Sequence, residues 1–410
     1  MTEKDIKTLK DQSLKILTEN RRTTDGHQYT VPSPDSYPYQ WLWDSCFHAI
    51  ALSHFSPEDA KKEMRALVSK QDSSGLIPHI IYWKKVPGVI DIKWGREGIS
   101  SITQPPMLAY AVWNIYKKDG DKKFLEEMYT YLYHFYNYLL NERDPRHNHL
   151  VGIINPDESG EDDSPRFDIP LGLSEDQTSE ENFGKRKELV EKNKTCNFDA
   201  PFCMKEFFWV KDVPFNAIFV KNLSLMGMIA EELNRMEEAL YFRGRELRVA
   251  DAMRDHMYED GVFWSVMGEE YKKIYIKTWA IFSPLFAKLL SGEEAKELVE
   301  RHLNDPSEFK TKYSVPTVAK EEKVYNPDGF WRGPVWVATN WFIYHGLCDY
   351  EFAEEAEQVR EDTAKLLMES GFREHFNPET GAGQGAQNFT WGALIVDMFA
   401  RDPNQKEWLY

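Results

Sequence analysis

The sequence has 410 residues, with 50 basic and 67 acidic side chains and a formal net charge of -17. A chain this acidic, with no basic stripe, repels polyanions, so nucleic acid is not expected as a partner. No run reads as membrane-spanning, and the charged start Met1-Thr-Glu-Lys-Asp5 carries no apolar stretch of signal-peptide length, which predicts a soluble cytoplasmic protein.

In chain order, helical periodicity dominates. Residues 3–21 place Ile6, Leu9, Leu14, Ile16 and Leu17 on one face, and residues 39–52 read as a nearly all-apolar helix that must be buried on most sides. Ser56-Pro-Glu-Asp59 then starts an amphipathic helix with a serine cap, proline at the first helical position and acids in the first turn. The alternation recurs: Gln104-Pro-Pro opens a helix to residue 118, followed by 121–142, 215–232 with 236–256, 275–290 with 293–303, 334–348 with 351–369, and finally 387–401. The first member of several pairs is apolar and the second charged, which predicts inner and outer rings of helices with functional inner loops. Short strand-like pieces at 75–82, 150–154 and 261–264 read as hairpins decorating that core. Residues 171–195 are polar and read as a mobile insertion or lid within one domain spanning 1–410. Cys46, Cys196, Cys203 and Cys348 are scattered and are expected as reduced, mostly buried thiols. Cys196 and Cys203 lack CxxC spacing and a paired histidine motif, so no metal site is expected.

The stretch 155–168, Asn-Pro-Asp-Glu-Ser-Gly-Glu-Asp-Asp-Ser-Pro-Arg-Phe-Asp, has neither helical nor strand periodicity and predicts a rigid irregular loop. Taken alone it reads as a solvated acidic turn; beside the tryptophans elsewhere it reads as the source of a general acid. Carboxylates or amides stand next to aromatics in Tyr37-Pro-Tyr-Gln-Trp-Leu-Trp-Asp44, Asp328-Gly-Phe-Trp-Arg-Gly-Pro-Val-Trp336 and the run from Gly371 through Glu374 to Gln387 and Trp391. Sugars need this mixture, because their C–H faces stack on rings while their hydroxyls take directed bonds. Glycosidic cleavage needs two carboxyl groups, and the acidic loop and the Glu374 loop offer them from opposite halves of the chain. Glu374 alone reads as a surface acid before a turn. Trp41 and Trp43 sit at a helix start and are expected to point apart, one toward a ligand. His48 and His79 are expected to be structural, and Gly381-Ala-Gly-Gln-Gly-Ala386 has no βαβ context for a dinucleotide.

Five ordered motifs, Trp-Leu-Trp-Asp-Ser, Gln-Pro-Pro, Glu-Ser-Gly-x-Asp-x-Ser-Pro-Arg, Trp-Arg-Gly-Pro-Val-Trp and Glu-x-Phe-Asn-Pro-x-Thr-Gly, together resemble glycoside hydrolase family 63 from about Tyr37 to Trp391. The resemblance implies an all-α fold, an (α/α)6 barrel, and an inverting hydrolase of small α-glucosides or α-mannosides, whose compact members include hydrolases of mannosylglycerate and glucosylglycerate. It places Asp162 at the general acid and Glu374 at the general base, a mechanism that needs no metal or organic cofactor. Tyr37, Trp41, Trp43, Asp44, Gln104, Trp331 and Trp336 fall at sugar-pocket positions, and Arg166, Arg332 and Gln387 join them as candidate substrate contacts. Glu161 departs from the pattern, standing where an apolar residue is common. Arg166, Lys205 and Arg332 are the candidate cations for a glycerate carboxylate. A neutral disaccharide stays open as substrate. So do a sugar epimerase or isomerase working through His48 or His79, a non-catalytic sugar-binding protein, and a homo-oligomer.

Overall fold

The computed structural model describes residues 1–86, 92–174 and 177–404. The helix Leu42–Ser53 is buried along its whole length, so it must be surrounded by other elements. Its partner Pro57–Val68 starts where the Ser56 hydroxyl accepts a hydrogen bond from Asp59 N, with Glu58 and Asp59 against the positive end of the helix dipole, a cap worth ~1 kcal/mol. The same division recurs. Val213–Glu232 is buried over most of its length, and Met236–Met257 covers it with a charged outer face. Val337–Asp349 is likewise buried under Ala353–Ser370. Lys122–Glu142, capped by the Asp121 carboxylate, packs on the buried helix Leu108–Asp119.

The buried members contact one another in sequence. Leu42–Ser53 packs on Leu108–Asp119, which packs on Val213–Glu232, which packs on Ser283–Phe286, which packs on Val337–Asp349. Thr390–Leu394 follows and returns to Leu42–Ser53, closing the cycle. The first helix, Glu3–Glu19, lies across Thr390–Leu394 and Ile395–Ala400. Two-stranded ribbons sit between helices: Gln40–Trp41 pairs with Ile80–Ile81, and Arg373–Phe376 with Gly383–Gln387.

Several expectations are corrected. The helix expected from residue 39 starts at Leu42 because residues 40 and 41 are held in strand pairing. The one expected from Gln104 starts at Leu108, since residues preceding proline avoid the helical region. The expected helix 275–290 shrinks to a 3-10 turn, Trp279–Phe282, and one turn of α-helix, Ser283–Phe286; Lys288 leaves the helix with φ +55. The final helix is a 3-10 turn, Thr390–Leu394, followed by Ile395–Ala400.

The segment 171–195, expected as a mobile insertion or lid, contains the helix Ser179–Thr195, opened by a capping box between Thr178 and Glu181. Cys196 and Cys203 are joined in a disulfide rather than free, because the chain turns through positive φ at Asn197 and Phe198 and brings the two Cα atoms to 6.2 Å, within bonding reach. Contrary to the reading that no run reaches membrane length, Val213–Glu232 is long and apolar enough, but 89% of its apolar window is buried inside the fold. Glu58, Asp119 and Asp121 converge closely enough for a cation. Lys61 already supplies one, at 2.7, 2.6 and 2.8 Å from the three carboxylates.

Candidate active site

Glu374 stands on the strand Arg373–Phe376 and is 4% exposed. The Tyr37 hydroxyl donates to its Oε1 at 2.6 Å and Ala386 N donates to its Oε2 at 2.7 Å, so both oxygens are fixed from opposite sides. Burial raises its carboxyl above the ordinary glutamate value against these two donors, helped by the negative charges of Asp162 and Asp44. That combination, a dry carboxylate held rigid and near like charges, suits a general base. Gly385 makes the clasp feasible. Its φ is +62, and a Cβ there would lie 2.3 Å from Glu374 Oε2. Gly385→Ala should therefore displace the carboxylate and lower kcat at least ~10²-fold, with a stability loss of only ~1–2 kcal/mol. A kcat within twofold of wild type alongside a normal melting curve would refute that coupling.

The acidic loop reaches the same place by a different route. Pro156–Ser159 forms one 3-10 turn capped by the Asn155 side chain. Glu158 anchors it: Arg143 grips the carboxylate at 2.8 and 2.6 Å, and Thr103 N and Ile154 N donate to it at 3.0 and 2.8 Å. Gly160 follows with φ +74, and a Cβ would fall 2.3 Å from the Trp43 ring, so the loop can turn against the tryptophan only through glycine. Asp162, 24% exposed at its side chain, is thereby presented beside Asp157.

Together these elements enclose a cavity of about 110 Å³ lined by Tyr37, Trp41, Trp43, Asp44, Gln104, Asp157, Asp162, Trp331, Trp336, Glu374 and Trp391, with Pro32, Gly160, Phe330 and Phe389. Both Trp41 and Trp43 reach it, against the expectation that they diverge, because Trp41 is an extended residue before the helix rather than part of it. Trp331 and Trp336 stack at 3.8 Å with their planes 6° apart, giving a flat apolar wall. Trp41 Nε1 is buried with no partner, a donor left for a ligand hydroxyl.

Asp44 accepts from Trp391 Nε1 at 2.7 Å, and burial pushes its carboxyl up to about 6. Because the folded value lies above the ordinary one, the stability linked to this group is full below pH ~4 and is lost as pH rises through about 6. Asp44→Asn should thus raise the melting temperature at pH 7.5, by on the order of 1–3 kcal/mol of stability, and leave it unchanged at pH 4, while weakening sugar binding. Equal effects at both pH values would contradict this.

Three expected contacts do not line the cavity. Arg166 is fully engaged below it, donating to Glu161 at 3.1 Å through each of two nitrogens, to Asp212 at 3.0 Å and to Ser164 and Thr278 at 3.1 Å. Glu161, the departure noted in the sequence, also accepts from Trp279 Nε1 at 2.7 Å, so its charge is absorbed by the scaffold. Arg332 grips Asp168 at 2.9 and 2.6 Å and reaches Asp163 at 3.4 Å. Gln387 is exposed, and its carbonyl accepts from Ser33. Lys205 is exposed outside the cavity. His48 bonds Thr390 at 2.6 Å, His79 bonds Ser100 at 2.7 Å, and neither lines the cavity.

Sequence reasoning missed Arg186. It projects from the helix Ser179–Thr195 with Nη1 at 3.0 Å from Asp157 Oδ1 and 2.5 Å from Asp162 Oδ2, while Nε bonds Asn182 at 2.9 Å. The segment carried almost no amphipathic pattern; the readable signal was the capping pair Thr178 and Glu181, which marks a helix start. Asp157, also missed, was visible as one acid among many.

The family described as "Mannosylglycerate hydrolase MGH1-like glycoside hydrolase domain" matches residues 37–392. The chain belongs to that family. It is a glycoside hydrolase of family 63. A mannosylglycerate hydrolase from Thermus thermophilus is 31% identical over 95% of this chain and 100% of its own length. A glucosylglycerate hydrolase from Mycolicibacterium hassiacum is 27% identical over 92% of this chain and 94% of its own. Among solved structures, the family 63 mannosylglycerate hydrolase from Thermus thermophilus in complex with Tris and D-glycerate superposes with a TM-score of 0.88 at 30% identity, covering 96% of this chain and all of the other.

Proposed function

We propose that the protein is a single-domain, cytoplasmic, inverting α-glycosidase that hydrolyses mannosylglycerate or glucosylglycerate to the free sugar and glycerate. The observation that carries this is the pairing of Glu374, clasped by Tyr37 and Ala386 N, with Asp162 across one tryptophan-lined cavity. Asp162 protonates the glycosidic oxygen as the bond to the anomeric carbon breaks. Glu374 takes a proton from the water that attacks the opposite face. The acid ends ionised, the base ends protonated, and both are reset through solvent. Trp41, Trp43, Asp44, Gln104, Trp331 and Trp336 hold the sugar ring by stacking and directed bonds. The closed cycle of six buried helical segments supports the (α/α)6 barrel as the scaffold.

An anionic aglycone needs a cation. Among the described residues no lysine or arginine lines the cavity, whose titratable walls include the carboxyls of Asp44, Asp157, Asp162 and Glu374. Arg186, bonded to two of these four, is the group placed to receive a glycerate carboxylate. The likeness to hydrolases of mannosylglycerate and glucosylglycerate supports the same substrate class.

The test is incubation with mannosylglycerate, glucosylglycerate and the neutral disaccharide kojibiose, followed by NMR of the first sugar anomer released. Release of the β-anomer from a glycerate conjugate is the expected result. Release of the α-anomer would overturn the inverting mechanism, and turnover of kojibiose alone would overturn the anionic aglycone.

A further inference from the structure

Arg186 raises a problem for the mechanism that it serves. A guanidinium bonded to a carboxyl favours the ionised form, whereas a general acid must carry its proton before the glycosidic bond breaks. Nη1 of Arg186 bridges Asp157 and Asp162, Nε is held by Asn182, and Nη2 has no hydrogen-bond partner among the described residues. Asp157 Oδ2 is buried and unpartnered although the residue lines the cavity. The side chain of Arg186 is 10% exposed, rises from a helix rather than from the barrel core, and rests against Phe183, with its guanidinium 5.5 Å from that ring. One cation is thus shared by two carboxyls in a cavity where, among the described residues, no wall residue supplies another.

We propose that the substrate's own carboxylate arms the catalytic acid: on binding it takes Arg186 from Asp162, and the Asp157–Asp162 pair, deprived of its cation, takes up one proton from solvent that Asp162 then donates to the glycosidic oxygen. This rests on the glycosylglycerate reading above and adds the exchange to it. The direction of the exchange follows from charge. A third carboxylate entering the cavity leaves three anions around one guanidinium, and protonating one of them is the cheapest relief in a dry site. Burial, reinforced by the neighbouring negative charge of Asp162, already pushes the Asp157 carboxyl up to about 6, so that carboxyl sits near the point of proton uptake at neutral pH. Asp157 is then a positioning residue, sharing Arg186 in the resting state and holding the proton inventory of the pair. A neutral glycoside would fill the sugar pocket and leave Asp162 clamped. Discrimination would then appear in kcat as well as in binding.

The experiment compares mannosylglycerate with methyl α-mannoside, and glucosylglycerate with methyl α-glucoside, in wild type, Arg186→Gln and Asp157→Asn. Formate is added as a carboxylate in trans, with chloride at matched ionic strength as control. In wild type, formate should accelerate methyl glycoside hydrolysis and chloride should not. Arg186→Gln should lose ~10²-fold or more in kcat/KM on the glycerate conjugate, yet hydrolyse the methyl glycoside roughly tenfold faster than wild type with no response to formate. Asp157→Asn leaves Arg186 to Asp162 alone and should slow the methyl glycoside further while raising the formate concentration needed. As a readout independent of turnover, titration calorimetry of the glycerate conjugate into Glu374→Gln, in buffers of different ionisation enthalpy, should report uptake of about one proton. Normal turnover of the glycerate conjugate by wild type, with Arg186→Gln losing both substrates equally, would overturn the exchange while leaving the proposed function standing. Binding without proton uptake would overturn it too. Failure of wild type to cleave either glycerate conjugate would overturn the proposed function and this inference together.

Discussion

Glu374→Gln should fold normally and lose activity by ~10²–10⁴ in kcat, the range a positioned general base contributes, with KM little changed because the glutamine keeps the side chain's shape. Its remaining carbonyl oxygen can still accept one of the two hydrogen bonds that Tyr37 and Ala386 N give the native carboxylate; the other donor loses its acceptor, at a cost of ~1–3 kcal/mol. The pH profile separates a chemical from a structural role. Burial holds the native carboxyl above the ordinary glutamate value, and a base works only when ionised, so wild-type activity falls as pH drops through that raised value. The acid limb assigned to Glu374 should vanish from the residual activity of the variant. Steady-state kinetics across pH, with a thermal melt for each variant, decides it: more than a tenth of wild-type kcat in Glu374→Gln would remove the residue from the chemistry.

Arg166→Leu is the second large effect, and here the loss is of structure. The guanidinium stands between the buried carboxylates of Glu161 and Asp212, and removing it strands two negative charges in a dry interior, which costs on the order of 3–5 kcal/mol. The loop that presents Asp162 hangs on the same arginine through Glu161 and Ser164, so activity should fall with the melting temperature. Normal melting with a selective rise in KM for the glycerate conjugate would instead return Arg166 to the role of a substrate contact.

Much of the fold was legible because its elements carry local signals. Ser56-Pro57 and Asp121 announce helix starts, and the contrast between the nearly all-apolar 42–53 and the charged 57–68 shows which helix lies inside. The two carboxylate loops were legible for a similar reason, since sugar chemistry demands acids beside tryptophans. What escaped was direction. Arg166, Arg332 and Gln387 lie within or beside motifs that do line the cavity, but Arg166 is held by the distant Asp212 as well as by its neighbour Glu161, Arg332 is held by the distant Asp168, and Gln387 is exposed at the end of its strand. Arg186 escaped for the opposite reason. Its helix is mostly polar, burying Leu189 and Val190 among charged residues, and is held also by a cap, an ion pair and a disulfide at its end, so hydrophobic periodicity had little to report.

The cavity is sewn together from the two ends of the ring. Asn20 donates to Asn388 O, Ser33 to Gln387 O and Thr390 N to Pro32 O, while Tyr37 holds Glu374 and Trp391 holds Asp44. Contacts so distant in sequence close late in folding, because the entropy of the long intervening chain must be spent first. A chain emerging from the ribosome carries Tyr37, Trp41, Trp43 and Asp162, the proposed acid, for most of its synthesis without Glu374, the proposed base, or Ala386, whose N–H fixes it. With Asp162 and Glu374 in the proposed roles, the nascent protein is inert toward its substrate until the ring shuts, and catalytic competence becomes a report on completed folding.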